Sequence, residues 1–138
     1  MKYGRQGHCV YHLVLVTKYR RKIFNAGVYG FFRIKLSEIR KHYPEIEVRE
    51  ANHDYDHVHL LISIPPKMSV SEAVRIIKAN MGKALREKFK FLEKVYYGVD
   101  GVWSDGYFVS TVGVNEQTVA NYVRFQGHED SGQAQLEL

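Results

Sequence analysis

Cysteine, proline and long apolar runs are all scarce in this sequence. Of its 138 residues, one is cysteine (Cys9) and three are proline. A single thiol cannot form an intramolecular disulfide or a cysteine-rich zinc cage, so a disulfide-stapled secreted scaffold and a zinc finger are excluded. The longest apolar stretches, 9–16 and 58–64, contain polar residues and are far shorter than the roughly 18 residues of a membrane-spanning helix.

Export and nucleotide-binding motifs are also missing. The N-terminus leads into a patterned strand and shows no apolar signal core followed by a cleavage site, which together with the low cysteine content predicts a cytoplasmic protein. Gly82-Lys83 has no glycine five residues before Gly82, so the sequence contains no P-loop. We therefore expect no nucleotide cofactor.

The sequence does have an excess of positive charge. Twenty Lys and Arg residues against 15 Asp and Glu give a net charge of +5 and a pI of about 9.3. The 45% hydrophobic content is typical of a globular protein, and we expect residues 1–138 to form one domain. The charge makes a polyanion the first partner to test.

Hydrophobic periodicity predicts seven elements, in the order strand, helix, strand, strand, helix, strand and helix. Ser69 and Glu72 form a capping box that begins the second helix, and Asn115 is the predicted N-cap of the last one. This order is typical of an α+β ferredoxin-like (split βαβ) sandwich, with an antiparallel sheet, helices on one face and an added C-terminal helix. The predicted bounds are 8–19, 28–42, 45–52, 57–64, a helix following the capping box, 103–113 and 116–126.

Several side chains are expected to pack rather than to take part in chemistry. Cys9 belongs here, because no helix N-terminus lies near it to lower its pKa. The buried face of the second helix is predicted to consist of Val74, Ile77, Met81, Leu85 and Phe89. The packing residues of the last strand are predicted to be Phe108, Val109 and Val112. The histidines with no identifiable partner are His8, His12, His42 and His128.

The strand predicted at 57–64 contains a His-x-His pair. Side chains alternate between faces along a strand, so an apolar face separates from a face that carries both imidazoles. The apolar face comprises Val58, Leu60, Ile62 and Ile64, and the other face comprises His57, His59, Leu61 and Ser63. Two neighbouring imidazoles can bind one metal ion, although surface histidines on an open sheet would give the same pattern. Either a further metal ligand or simple turn formation accounts for the adjacent His53, Asp54 and Asp56.

The predicted last helix carries Tyr122 and Gln126, which lie one turn apart on the same face. A tyrosine can act as a covalent nucleophile, and a glutamine carbonyl oxygen suits a hard divalent cation. With ten tyrosines in the chain, a half-buried packing role is the common alternative. The combination with the histidine pair favours an active site.

Two basic segments are candidates for binding phosphate groups. One is the turn after the first strand, with Lys18, Arg20, Arg21 and Lys22, and we expect nearby aromatic residues to stack on unpaired bases. The other is the flank of the second helix, with Arg75, Lys83, Arg86 and Lys90. A solvated helix face is the commoner explanation of the second segment.

Four ordered motifs make the chain resemble the single-tyrosine HUH transposases of the insertion-sequence group numbered two hundred and six hundred and five. The motifs are 17–22 (TKYRRK), 56–61 with 64–66 (DHVHLL and IPP), 103–113 (WSDGYFVSTVG) and 122–126. The resemblance implies that His57, His59 and Gln126 hold a divalent Mg²⁺ or Mn²⁺ ion. It also implies that Tyr122 attacks DNA to give a 5′-phosphotyrosine.

The same resemblance implies a substrate and an assembly. The substrate would be single-stranded DNA with hairpins at the ends of the mobile element. The protein would be a homodimer with one joined sheet, in which each tyrosine can serve the histidines of the other subunit. The tail after Gln126 matches no motif of the family.

Three other classes of protein share part of this pattern. A non-catalytic ferredoxin-like nucleic-acid-binding module would need only the basic charge and the aromatic strands. A two-histidine phosphoesterase would need two His-x-Thr or His-x-Ser motifs, which this sequence lacks. A replication-initiator nuclease has the histidine pair but is usually larger.

Overall fold

The computed structural model describes residues 7–112, which form a four-stranded antiparallel sheet with helices packed on one face. The strand order is β2-β3-β1-β4, so the ferredoxin-like prediction is confirmed. The strands are β1 Cys9–Val16, β2 Glu47–His53, β3 His57–Ile64 and β4 Phe108–Thr111. The helices are α1 Ala26–Ser37, α2 Val70–Lys88 and the short α3 Phe91–Val95.

The core lies between the two central strands and the helices. Leu13 and Leu15 of β1 pair with Leu60 and Val58 of β3, and all four side chains are fully buried. Burying a side chain of this size stabilises a fold by about 1.5–3 kcal/mol. The predicted face of α2 is confirmed at Val74, Ile77, Met81 and Leu85, which are buried, whereas Phe89 lies just past the end of the helix and is only partly buried. The apolar face predicted for β3 is part of the same core, which contains Val58, Leu60, Ile62 and Ile64.

Helix α1 is shifted towards the N-terminus relative to the predicted range of 28–42. It begins after Asn25, whose side-chain oxygen accepts a hydrogen bond from the Val28 N–H at 2.9 Å. It ends at Ser37, where the Glu38 N–H bonds to the carbonyl three residues earlier and a 3₁₀ turn, Ile39–Lys41, follows. Ile39 is still buried in this turn, which explains why the apolar pattern continues past the end of the helix.

The first and last strands are shorter than the predicted ranges of 8–19 and 103–113. Strand β1 ends at Val16, because Thr17 forms an isolated bridge with Trp103 and the chain then turns over Lys18–Arg20. The last strand covers only Phe108–Thr111, preceded by a loop in which Lys78 Nζ donates to the carbonyls of Ser104 and Gly106 at 2.8 and 2.6 Å.

Strand β4 is at the edge of the sheet, and this position corrects a packing prediction. Phe108 is 52% exposed and Val109 is 45% exposed, so neither is a core residue within the described part of the chain. Val112 does pack, against Val10 and Leu61 on the sheet face opposite the helices. An edge strand has one neighbouring strand instead of two, so its side chains have fewer contacts.

The segment between α2 and Trp103 had no predicted structure, although it completes the core. Leu92 of α3, Tyr96 and Val102 are all buried. The capping residue Asn115, the helix predicted at 116–126 and the tail lie outside the described residues. Within 7–112, no helix is long and apolar enough to cross a membrane.

The capping box at the start of α2 is confirmed on its serine side and gives a stability prediction. Ser69 Oγ accepts a hydrogen bond from the Glu72 N–H at 3.0 Å. Because Ser69→Ala leaves that donor without its cap, we expect the free energy of unfolding to fall by about 1 kcal/mol in urea titrations. Ser69→Asp, which restores an acceptor, is the control and is expected to recover the loss. An unchanged stability in Ser69→Ala would show that the cap contributes nothing.

Candidate active site

The two histidines of the His-x-His pair lie side by side on β3, as the alternation predicted. Their ring centroids are 4.9 Å apart and the planes are nearly perpendicular, at 77°. His57 is 3% exposed and His59 is fully buried. Residues 7–112 contain no cluster of three or more His, Cys, Asp or Glu side chains that could hold a metal ion.

Asp56 fixes the orientation of His57. The Asp56 Oδ1 lies 2.7 Å from His57 Nδ1, and its Oδ2 accepts a hydrogen bond from Arg20 Nε at 3.1 Å. Burial raises the pKa of Asp56, but the hydrogen bonds from His57 and Arg20 outweigh it, so the pKa stays below its ordinary value. A neutral His57 that donates Nδ1–H to this carboxylate keeps its lone pair on Nε2, the atom then available to a ligand.

His12 is the partner of His59, which corrects the interpretation of His12 as a residue without one. His12 Nε2 lies 3.2 Å from His59 Nδ1, and the two rings are stacked with centroids 5.4 Å apart. In the sheet register His12 is opposite Leu61 and Val14 is opposite His59, so the two histidines are diagonal neighbours on one face. Alternation along β1 predicts which face of the sheet His12 lies on. Only the pairing register of β1 with β3 shows that His59 is its neighbour.

Both members of this histidine contact are neutral at physiological pH. Burial lowers the pKa of His12 to about 4. Burial, followed by the charges of His12 and His57, lowers the pKa of His59 to about 3. Each neutral ring carries one N–H, so one of the two facing nitrogens, His12 Nε2 or His59 Nδ1, donates a hydrogen bond to the other. When His59 Nδ1 carries the proton and donates to His12, the lone pair of His59 lies on Nε2.

The buried Nε2 atom of His59 is a suitable ligand for a divalent metal ion. His59 Nε2 is buried and has no hydrogen-bond partner among the described residues. Burying a nitrogen without a partner is costly, and a metal ion would satisfy this atom. Imidazole nitrogens are common ligands of first-row divalent metals.

The three polar residues next to the pair have visible structural roles. The His53 ring stacks on Tyr29 with centroids 4.0 Å apart, and its Nδ1 lies 3.0 Å from the Asp54 carbonyl. Asp54 Oδ1 accepts the Tyr55 N–H at 2.7 Å, which is the expected behaviour of an aspartate in a turn. Asp56 does more than shape the turn, because its carboxylate contacts the His57 ring.

The basic turn after β1 is tied to the histidine site. Thr17 Oγ1 lies 2.7 Å from the Arg21 carbonyl and 3.1 Å from the Asp56 carbonyl, and the Thr17 N–H donates to that same Asp56 carbonyl. Lys18 Nζ donates to the Asp100 carbonyl at 3.1 Å. The Arg20 side chain is 64% exposed despite its ion pair with Asp56, while Arg21 and Lys22 are exposed.

The basic flank of α2 is less uniform than predicted. Arg75, Lys83 and Lys90 are exposed, and Lys83 lines a groove of about 200 Å³ beside the end of α1. Arg86 instead points to a loop, where its Nη1 donates to the carbonyls of Val99 and Gly101 at 3.0 Å each. Arg86 therefore helps to hold this loop in place.

Other predicted residues are also placed differently or lie outside the described part. Cys9 is exposed, so the prediction that it packs is wrong. His8 has a partner, because its Nδ1 lies 3.4 Å from Ser63 Oγ, whereas His42 is exposed. The predicted nucleophile Tyr122, the predicted ligand Gln126 and His128 lie outside residues 7–112.

Comparison with known proteins identifies the class. A family model described as "Transposase IS200 like" matches residues 5–126. The transposases for insertion sequence element IS200 of Salmonella typhimurium and Salmonella typhi are each 35% identical to this chain over 134 residues, covering 95% of it and 85% of the relative. The ISDra2 transposase TnpA of Deinococcus radiodurans is 26% identical over 117 residues, covering 84% of this chain and 82% of the relative.

Solved structures agree with this similarity. A candidate transposase from Deinococcus radiodurans R1 superposes with a TM-score of 0.69 at 25% identity, covering 93% of this chain and 97% of that one. A REP-associated tyrosine transposase bound to a REP hairpin has the same fold, with a TM-score of 0.62 at 15% identity over 91% of this chain and 70% of that one. The chain belongs to the IS200-like transposase family and is a DNA transposase.

The buried histidines predict an acid-labile fold. The unfolded chain takes up protons on His12 and His59 near the ordinary histidine pKa of 6.5, whereas the folded chain does so only near 4 and 3. The free energy of unfolding should therefore fall as the pH drops below about 6.5, by up to about 1.4 kcal/mol per pH unit for each histidine. Urea titrations in chelator between neutral pH and about pH 5 measure this slope.

A variant separates the contribution of His12 from the rest of the chain. His12→Asn removes one of the two groups and is expected to reduce the pH slope. His42→Asn, which changes an exposed histidine, is the matched control and should leave the slope as in the wild type. An unreduced slope in His12→Asn would contradict the assignment of a low pKa to His12.

Proposed function

We propose that this transposase cleaves and rejoins single-stranded DNA through a 5′-phosphotyrosine on Tyr122, with a divalent metal ion held by His57, His59 and Gln126. The observation that carries the proposal is the arrangement of the histidine pair. Each Nδ1 is engaged, by Asp56 or by His12, and the buried Nε2 of His59 has no partner among the described residues.

The contacts of the two histidines suit them to act as metal ligands. Their surroundings disfavour a charged His59, because burial lowers its pKa to about 3, and they hold His57 through the Asp56 carboxylate. Bound Mg²⁺ or Mn²⁺ would supply Lewis acidity to a phosphate oxygen and help to orient the scissile phosphate. Gln126 would add an oxygen ligand, the type that these hard ions prefer.

The reaction exchanges one phosphodiester bond for another. The Tyr122 phenol, with an ordinary pKa near 10, loses its proton as its oxygen attacks the phosphorus. The bond from phosphorus to the 3′ oxygen breaks, and that oxygen leaves as a free 3′-hydroxyl after taking a proton. A later 3′-hydroxyl can reverse the step and join different ends, so no nucleotide is consumed, in keeping with the missing P-loop.

The proposed substrate is single-stranded DNA with hairpins at the ends of the element. The net charge of +5 and the exposed Arg21 and Lys22 favour a polyanion. One structural neighbour is bound to a REP hairpin, which supports a hairpin in the substrate of this chain as well. The proposed DNA contacts are Lys18, Arg20, Arg21, Lys22, Arg75 and Lys83. We further propose a cytoplasmic homodimer in which each Tyr122 can serve the histidines of the other subunit.

Covalent capture of DNA tests the proposed chemistry. End-labelled single-stranded DNA from the ends of the element, hairpins included, is incubated with the protein and Mn²⁺ and analysed on a denaturing gel. We expect a labelled protein adduct that is lost with chelator and in Tyr122→Phe, because the nucleophilic oxygen is gone. His57→Ala and His59→Ala should reduce the adduct by at least about tenfold.

The controls separate the enzyme from a binding module. His42→Ala changes an exposed histidine and should form adduct normally. A non-catalytic nucleic-acid-binding module would bind the DNA and give no adduct with any variant. Adduct formation that persists in Tyr122→Phe would show that Tyr122 is not the nucleophile.

Salt dependence tests the basic turn. Each phosphate contact on a single strand contributes about 0.7 to the steepness of the slope of log affinity against log salt. Lys22→Ala should therefore weaken binding of a single-stranded oligonucleotide and make this slope less steep by about 0.7. Lys67→Ala is the matched control, because Lys67 is exposed and paired with Glu45 at 2.8 Å. An identical slope in Lys22→Ala and the wild type would remove Lys22 from the DNA interface.

A further inference from the structure

The turn after β1 has a backbone conformation that its side chains disfavour. Tyr19 has φ 60° and ψ 17°, and Arg20 has φ 53°. They are the only non-glycine residues with positive φ between residues 7 and 112. Positive φ at two successive positions is the property of a type I′ turn, which favours asparagine and glycine. A tyrosine and an arginine at these positions are strained.

The contacts of the turn give a structural reason for the presence of Arg20 at a strained position, but they give none for Tyr19. Arg20 Nε bonds to Asp56, so its side chain contributes to the fold. The Tyr19 ring is 65% exposed, and no hydrogen bond to its hydroxyl group is formed within the described part of the chain. Its one described partner is Arg21, whose guanidinium carbon lies 6.0 Å from the ring centroid. Folding alone would be served as well or better by a glycine at this position.

The position of the turn connects this exposed ring to the candidate active site. Arg20 binds Asp56, and Asp56 binds His57, so two hydrogen bonds separate the turn from the histidine pair. Cationic side chains surround Tyr19 in sequence at Lys18, Arg20, Arg21 and Lys22. An exposed aromatic ring among cations is the usual platform for an unpaired base, because cations attract the backbone while the ring stacks on the base.

We propose that Tyr19 is a stacking platform for an unpaired base of the DNA strand held next to the histidine pair. This inference rests on the proposed function, since it takes single-stranded DNA as the substrate. The strained turn is then the means by which the fold holds the ring in solvent. Strain retained at a binding residue, where no packing contact repays it, is typical of functional sites.

Binding of a short fluorescein-labelled oligodeoxythymidine, measured by anisotropy, tests the proposal. Tyr19→Ala should weaken binding about tenfold, which is the usual loss of affinity when one base loses its stacking on an aromatic ring. Tyr19→Phe should bind as the wild type does, because the ring face is kept. The salt slope should be unchanged in Tyr19→Ala, because stacking releases no counterions. Tyr97→Ala, which removes a tyrosine that is 89% exposed, is the matched control and should bind normally.

Tyr19→Gly separates stacking from a structural role. Glycine adopts positive φ without a steric penalty, so the thermal unfolding midpoint should not be lower than that of the wild type, while binding is weakened as in Tyr19→Ala. The proposal is overturned by wild-type affinity in Tyr19→Ala, or by an equal loss in Tyr97→Ala. It is also overturned if Tyr19→Gly loses binding only together with folded stability.

This outcome is independent of the covalent chemistry. If the wild type forms the Tyr122 adduct and Tyr19→Ala binds normally, the stacking proposal alone is wrong. If Tyr19→Ala weakens binding and no adduct forms with any protein, the stacking is supported and the proposed chemistry fails.

Discussion

The pairing of β1 with β3 is the interaction on which the candidate site depends. Its antiparallel register places His12 diagonally next to His59, and it places Val16, the last residue of β1, opposite His57. The opposite faces of the same two strands bury Leu13, Leu15, Val58 and Leu60 in the core under α1 and α2. The register is therefore fixed by core packing, since a slip of one residue would move every apolar side chain to the other face.

Two kinds of contact then orient the histidines of the proposed metal site. A carboxylate holds His57 and a second imidazole holds His59, in each case through Nδ1. Such partners fix the ring orientation and decide which nitrogen carries the lone pair. The same carboxylate, Asp56, accepts a hydrogen bond from Arg20, so the strained basic turn and the histidine pair share one network. Contacts made by the turn can in this way act on a residue of the proposed metal site.

Patterns within one element could be predicted from the sequence, whereas relations between elements could not. The alternation in β3 correctly separated His57 and His59 from the apolar face. The helical spacing correctly predicted the buried face of α2 from Val74 to Leu85. His12 was missed because it is 47 residues from His59, and no local pattern sets the register of distant strands. Phe108 and Val109 were misplaced because periodicity does not reveal an edge strand.

Locating a bound metal ion would show whether the histidine pair is a metal site. Crystals of the protein grown with Mn²⁺ and measured at the manganese absorption edge would show the ion as an anomalous difference peak. If the proposed ligand arrangement is correct, one peak lies within coordination distance of Nε2 of both His57 and His59, with Asp56 and His12 still on the Nδ1 atoms. A peak at Nδ1 of either histidine, or Mn²⁺ bound elsewhere while the pair stays empty, would contradict it.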